Sequence, residues 1–299
     1  MADDGVDMET FSLLAHEIRL DIIRAFFNQW DDIEADSLDD AREKRGLRYS
    51  TLMDAIGMQD SGKFNYHLEQ LLGVYVEQVG EQYVPTASSI ALYHAVLANR
   101  PTENLHQDEV DIDASCPACG EPILARYDQE YLIVDCEHCD DWWGLRYPFP
   151  KNGLDSRAGT ELLDALDNRA MYDIGLARTG QCPSCAGHVS IELAPDRLDG
   201  GQIPTVSFSC GTCFWGASLD VLNALRFDPR VAAALTDLGV VPEAENANDW
   251  LDEDAELDVT GEAVDEDGQI AVRIKTHEGT ASVDVDDDLS VLSVDVEMI

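Results

Sequence analysis

Apolar residues recur at helical spacing near the start of the chain. Phe11, Leu14, Ile18, Ile22 and Phe26 make a stripe that Leu13, Leu20 and Ile23 widen, which predicts a helix over 8–29. Residues 31–46 break the period with a polar, Asp-rich insertion. A short helix follows from Ser50, whose hydroxyl is suited to cap the turn over 51–56. Gly57 to Asp60 reads as a turn and 61–72 as a third helix, with Phe64, Leu68, Leu71 and Leu72 on its apolar side and Gly73 as its stop. Two β-type runs, 74–79 and 82–85, joined at Gly80-Glu81, predict a hairpin. A helix over 90–98 ends at Asn99-Arg100-Pro101, and the polar stretch 101–114 reads as a linker.

Beyond that linker the pattern changes. From Cys116 to about Tyr147, and again from Cys182 to about Leu219, short β-type runs alternate with cysteine pairs. Residues 159–177 read as a helix between the two stretches, and Asp228-Pro229 opens another that Gly239 closes. After an acidic linker over 243–256, residues 257–298 alternate like strands: Ile270, Val272 and Ile274 face one way, Ala271, Arg273 and Lys275 the other. Asp267-Gly268 and Glu278-Gly279 mark turns. The tail reads as a small antiparallel sheet packed on a cysteine module or on a partner subunit.

The two cysteine stretches are one module written twice. Cys116-Pro117-Ala118-Cys119 recurs as Cys182-Pro183-Ser184-Cys185, and Cys136-Glu137-His138-Cys139 as Cys210-Gly211-Thr212-Cys213. The aromatic pairs Trp142-Trp143-Gly144 and Phe214-Trp215-Gly216 then follow. A two-residue gap lets both thiolates of a pair reach one cation, and two pairs from different hairpins complete a tetrahedral four-sulfur site. All eight cysteines are used, which predicts two zinc ions, each held by four thiolates. Iron fits the same spacing and remains an alternative. With four thiolates supplied, His138 and His188 are expected beside the metal or in solvent rather than on it. A tandem of pairs does not suit thioredoxin-like redox chemistry, which needs one pair on a βαβ unit. Such small modules should take their folding energy from the metal and unfold without it.

Charge alters the picture of the surface. The chain carries 60 Asp and Glu against 19 Lys and Arg in 299 residues, a net charge of −41. The acids are spread: 18 in residues 1–100, 22 in 101–229 and 20 in 230–299. A disordered acidic tail would concentrate them. Even acidity with scarce lysine points instead to a protein built for molar intracellular salt, as in halophilic archaea. The first residues lack the basic and apolar regions of a signal peptide, and no apolar run approaches the ~20 residues that cross a bilayer. A soluble cytoplasmic protein with no membrane partner is expected.

The order helix, helix, tight turn, helix, hairpin over residues 1–100 is that of a winged helix-turn-helix, whose third helix enters the DNA major groove. On helix 61–72 the polar side carries Ser61, Lys63, Asn65, Tyr66, Glu69 and Gln70. Asn65 and Gln70 suit adenine, and Ser61, Lys63 and Tyr66 suit phosphates or bases. His67 is expected packed. Arg42, Lys44, Arg45 and Arg48 form the only basic cluster, with Arg45 and Arg48 nominated as further DNA contacts. The run Leu14-Ala15-His16-Glu17-Ile18-Arg19-Leu20-Asp21-Ile22-Ile23 resembles the opening helix of ArsR-like winged-helix regulators. Leu47 to Leu52 and Asp60 to Leu68 are similar to the haloarchaeal branch of that family, in which paired zinc ribbons and a β-rich tail follow the winged helix. That resemblance implies a homodimeric transcriptional regulator that binds double-stranded DNA. This winged segment has no cysteine, so arsenic or cadmium sensing is not carried over.

The expected fold is therefore α+β and multidomain: 1–100 winged helix-turn-helix, 101–114 linker, 115–178 first zinc ribbon plus helix, 179–242 second ribbon plus helix, and 243–299 acidic linker and β-rich segment. The expected function is transcription regulation, with ribbons that are structural or contact other transcription proteins. The alternatives are a protein-binding adaptor of the transcription machinery, or a thiolate-based metal or redox sensor. No phosphate loop, nucleophile–base constellation or open metal site is visible, so no enzyme is expected.

Overall fold

A computed structural model describes residues 12–28, 36–37, 40, 44–100, 105–112, 114–116, 119–138, 145–194, 204–240, 258–263 and 269–299. Among the described residues the architecture is mixed α and β, with four antiparallel sheets. It divides into two compact units, 1–103 and 104–299. Among the described residues, no helix is long and apolar enough to cross a membrane.

In the first unit, α1 (Glu17–Phe27) packs on α2 (Tyr49–Ala55) and α3 (Ser61–Leu71). Strands β1 (Leu47–Arg48), β2 (Val76–Val79) and β3 (Gln82–Pro85) form a small sheet in the order β1-β3-β2, followed by α4 (Ala87–Asn99). Ile22, Phe26, Leu52, Phe64, Leu68 and Leu71 fill the core. The Tyr49 ring stands edge-on to Phe64 at 4.9 Å, and Phe27 stacks on Tyr93 at 4.0 Å.

Several boundaries differ from the sequence expectation. The first helix does not run unbroken over 8–29. Residues 12–14 are helical, but His16 is extended and its Nδ1 accepts the Ile18 N–H, so the described helix restarts at Glu17. Ser50 does not cap the second helix. It lies inside α2, and Arg48 occupies the cap position without a side-chain bond. The last helix begins earlier than 90, because the Thr86 hydroxyl accepts the Ser89 N–H and starts α4 at Ala87. The stretch read as a linker over 101–114 contributes a strand, β4 (His106–Val110), which the sheet of the second unit recruits despite its polar sequence.

In the second unit β4 joins β5 (Leu124–Asp128), β6 (Tyr131–Asp135) and β7 (Leu145–Pro148) in the order β4-β5-β6-β7. Two short helices are not visible in the hydropathy pattern: α5 (Lys151–Asp155) and α7 (Val221–Leu225). The long α6 (Thr160–Ala177) places Leu162, Leu163 and Leu166 in the core of the first module and Ile174 and Ala177 in the core of the second. One helix thus ties both cysteine modules together. The second module supplies β8 (Val189–Ala194), β9 (Thr205–Cys210), β10 (Gly216–Asp220), α7 and α8 (Pro229–Asp237).

The tail forms an antiparallel sheet of β11 (Asp258–Ala263), β12 (Ile270–Lys275), β13 (Gly279–Val285) and β14 (Val291–Met298), in sequence order. Its apolar face, with Val272, Ile274, Ala281 and Val283, shares one core with the second module. Arg230 donates to the Val291 carbonyl at 2.7 Å and the Thr276 hydroxyl to the Leu238 carbonyl at 3.0 Å, fixing the sheet to α8 and the residue that follows it. The tail therefore packs on a cysteine module of its own chain.

Candidate metal centres and nucleic-acid interface

Both modules build their cysteine pairs from the same backbone device. The N–H of the first cysteine donates to the carbonyl five residues on: Cys116 to Glu121 at 2.7 Å, Cys182 to Gly187 at 2.8 Å, Cys210 to Trp215 at 2.8 Å. The N–H four residues on returns to the cysteine carbonyl, from Gly120, Ala186 and Phe214. That residue must turn left-handed, with φ of 73° at Gly120, 58° at Ala186 and 59° at Phe214. The duplication holds in strand register too. Leu124 pairs with Asp135 as Ser190 pairs with Ser209, each partner at the same step from its cysteines.

In the second module the four sulfurs of Cys182, Cys185, Cys210 and Cys213 lie within 4.8 Å of one another. Cys182 and Cys213 sulfurs are 3.5 Å apart and those of Cys185 and Cys210 3.6 Å. A tetrahedron with metal–sulfur bonds near 2.3 Å has edges of about 3.8 Å, whereas a disulfide is about 2.05 Å. None of the seven described cysteines is in a disulfide. In the first module Cys116, Cys119 and Cys136 cluster within the same 4.8 Å, with 3.7 Å between Cys119 and Cys136. Cys139, the fourth expected ligand, lies outside the described residues. His138 is exposed, and its N–H donates to Cys136 Sγ at 3.4 Å; His188 is exposed, and neither imidazole enters a cluster among the described residues.

The electrostatics of the second cage favour a cation. Backbone N–H groups of Cys213 and Thr212 point at Cys210 Sγ and pull its thiol down to about 6. Cys185 receives the Gly187 N–H, which acts in the same sense, but the crowding thiol of Cys213, burial, and the thiols of Cys210 and Cys182 push it up to about 12. Four sulfurs this close cannot all ionise without a positive charge between them. The donor set therefore fits a thiophilic ion, and both clusters are able to hold one. Gly187 completes the cradle. A methyl group there would sit 3.2 Å from Cys185 Sγ and 3.2 Å from Thr212 Oγ1. Nothing in the sequence marks this glycine, since the first module has Glu121 in its place.

Five of the nominated nucleic-acid residues, Ser61, Lys63, Asn65, Tyr66 and Gln70, fall on the exposed side of α3, whereas Arg45 and Arg48 precede α2. Asp60 caps the helix by accepting the Lys63 N–H at 3.0 Å, and Phe64, His67, Leu68 and Leu71 are buried beneath it. Ser61, Lys63, Asn65, Tyr66, Glu69 and Gln70 are all exposed, and Leu72 is only partly buried. The Asn65 amide is not idle: it donates to Glu69 at 2.6 Å, a bond that base contact would have to replace. The Tyr49 hydroxyl donates to the Ser61 carbonyl at 3.1 Å, holding the start of α2, with Arg48 just before it, beside the start of α3. Arg48 is exposed 3.9 Å from Glu81, and Arg45 is exposed; Arg42 lies outside the described residues. His67, 3% exposed, packs against the His16 ring at 4.0 Å with its Nδ1 unpartnered. Burial, then the neighbouring His16, Arg19 and Lys63, hold its pKa below the ordinary histidine value.

Fold and site together define a mixed α/β protein with two cysteine clusters shaped for metal ions. Residues 113–291 match the family model described as Domain of unknown function (DUF7351), and the chain belongs to that family. Residues 7–96 match a second, described as Domain of unknown function (DUF7347). No curated protein and no solved structure matches the chain.

Proposed function

We propose that the chain is a DNA-binding transcription regulator of the ArsR-like winged-helix type, acting as a homodimer, with two structural zinc sites. The observation that supports this most is the division of α3 into a buried apolar side and an exposed polar side, beside a two-stranded hairpin. In this reading the exposed side, Ser61, Lys63, Asn65, Tyr66 and Gln70, enters the major groove, and Arg45 and Arg48 contact phosphate. At a net charge of −41 and in molar salt, counterion release contributes little. Base contacts and shape then carry the affinity, and two copies double them.

The cages Cys116, Cys119, Cys136, Cys139 and Cys182, Cys185, Cys210, Cys213 would each take one zinc ion. Four thiolates leave no open position for water, so the ion's contribution is folding energy rather than catalysis. The test is a fluorescence-anisotropy titration in molar KCl with DNA from the protein's own promoter. Tight, sequence-dependent binding is expected, with each Ala substitution at Lys63, Asn65 or Tyr66 costing about 1–3 kcal/mol for a base contact and less for a phosphate contact. Binding that shows no sequence preference, or that ignores all three substitutions, overturns the reading.

A further inference from the structure

Where α1 packs on α3, two buried nitrogens have no hydrogen-bond partner among the described residues: His67 Nδ1 and Arg19 Nε. His67 is 3% exposed and Arg19 is partly buried. Buried polar atoms are paired almost everywhere in folded proteins, so two orphans in one seam call for a partner. The rest of the Arg19 guanidinium is anchored, with one terminal nitrogen donating to the Ser12 carbonyl at 3.2 Å and to the Leu13 carbonyl at 2.9 Å. Its Nε–H is a donor only, so whatever meets it must accept.

Exposed donors stand around these two. His16 Nδ1 accepts the Ile18 N–H at 3.2 Å, which leaves the ring proton on Nε2 as an outward donor. The His16 ring lies 4.0 Å from that of His67, and the exposed Tyr66 ring stands edge-on to His67 at 5.1 Å. Lys63 is exposed one helical turn before His67. His16, Arg19 and Lys63 are the charged or titrating groups that act on His67, and no carboxylate is among them. The acids of the two helices are Glu17, Asp21 and Glu69, with Asp60 as the cap of α3. Among the described residues none of the four is ion-paired with Arg19 or Lys63; Asp60 accepts the Lys63 N–H at 3.0 Å and Glu69 the Asn65 amide at 2.6 Å. On a chain with 60 acids against 19 bases, this seam gathers positive charge and leaves it uncompensated.

We infer that the seam of His16, Arg19, Lys63 and His67 is a phosphate-binding site, filled either by free phosphate or by a phosphate of a DNA backbone. A water oxygen satisfies unpaired donors but leaves the charge unmatched, and a halide brings its charge on a single atom. Phosphate brings charge together with several acceptor oxygens, so donors from two helices are met at once: His16 and Arg19 at the start of α1, Lys63 on α3. A bound anion also relieves His67, whose pKa burial and the same three neighbours hold below the ordinary value. The DNA source rests on the proposed function and extends it to α1, because Lys63 and Tyr66 also belong to the side of α3 proposed to read DNA. The free source does not depend on that reading.

The experiment is imidazole NMR of the full-length, metal-loaded protein, labelled at histidine, with the seven signals assigned by single substitutions. Potassium phosphate is titrated against KCl at constant ionic strength, and the promoter duplex is added in a separate series. Phosphate is expected to shift the His16 and His67 signals saturably and to raise the pH at which His67 protonates, whereas KCl alone does neither. Arg19→Gln should weaken phosphate binding about tenfold or more, the worth of one charge-assisted hydrogen bond. Far-UV circular dichroism checks folding. Should Arg19→Gln unfold the first unit, His16→Asn decides in its place, read at His67: asparagine keeps a capping oxygen and withdraws the outward ring N–H. If phosphate and DNA both move the signals, either fills the site; if DNA alone does, the ligand is a backbone phosphate. If phosphate alone does, the ligand is free phosphate, and the site stands even where promoter binding fails. Signals that neither moves overturn the inference, as does binding that the deciding variant leaves unchanged. Neither deciding residue is among those proposed to read DNA, so promoter recognition through α3 can survive the loss of this site.

Discussion

Gly187 offers the sharpest test of the second cage. Its carbonyl accepts the Cys182 N–H at 2.8 Å, and its backbone requires no left-handed φ, so alanine there is penalised by space alone. The added methyl group would meet Cys185 Sγ and Thr212 Oγ1 at 3.2 Å each and Cys210 Sγ at 3.5 Å. Two of those atoms belong to the cluster able to hold a metal ion, and a sulfur held at about 2.3 Å from such an ion cannot retreat by a few tenths of an ångström without lengthening that bond. Overpacking of this kind costs about 1–3 kcal/mol, which is roughly a 5- to 150-fold loss of metal affinity. Gly211 is the control, because a methyl group there meets nothing within 4 Å. Competition with a chromophoric chelator measures both variants in the full chain. If Gly187→Ala holds zinc as tightly as the unaltered protein while Gly211→Ala weakens it, the ion does not sit among these four sulfurs.

Removing metal by exhaustive chelation should expose the core around Trp215, read as a red shift in tryptophan emission together with loss of β-sheet dichroism; an unchanged spectrum refutes a folding role for the ions. Phe64→Ala empties a fully buried site at 0% exposure and should destabilise the first unit by about 3–5 kcal/mol in urea unfolding, whereas Lys63→Ala should stay within about 0.5 kcal/mol. His67 has a folded pKa below its unfolded value, so the unfolded chain binds the proton first. The first unit should therefore lose stability as pH falls through about 6.5 and keep it above. His67→Phe should flatten that dependence, and a variant that keeps the full slope would assign it to another group.

The cysteine chemistry was legible because spacing alone constrains it. Two residues between cysteines leave a backbone few conformations, and a repeated pair of pairs has few uses other than a four-sulfur cage. The buried side of α3 was legible for a similar reason: with a 3.6-residue period, Phe64, Leu68 and Leu71 can share only one side of a helix. The alternation over 270–275 likewise survives as the buried and exposed faces of β12. These are local relations, which a chain carries with it wherever it folds.

Other features depended on neighbours distant in sequence. Polar residues 106–110 become strand because β5 presents an open edge to them, and periodicity within that segment holds no trace of the fact. His16 interrupts the first helix through its own side chain, against an apolar pattern that would continue. The tail reads as a sheet from sequence, but only packing decides that its apolar face closes the core of the second module. Gly187 looks like any turn residue until the fold brings Cys185, Cys210 and Thr212 around it. Phe214 reads as half of an aromatic pair, and the cysteine turn then sends it outward while Trp215 goes in. Sequence determined which residues can act together over a few positions; tertiary structure decided which surfaces are covered, because burial depends on everything that arrives from elsewhere in the chain.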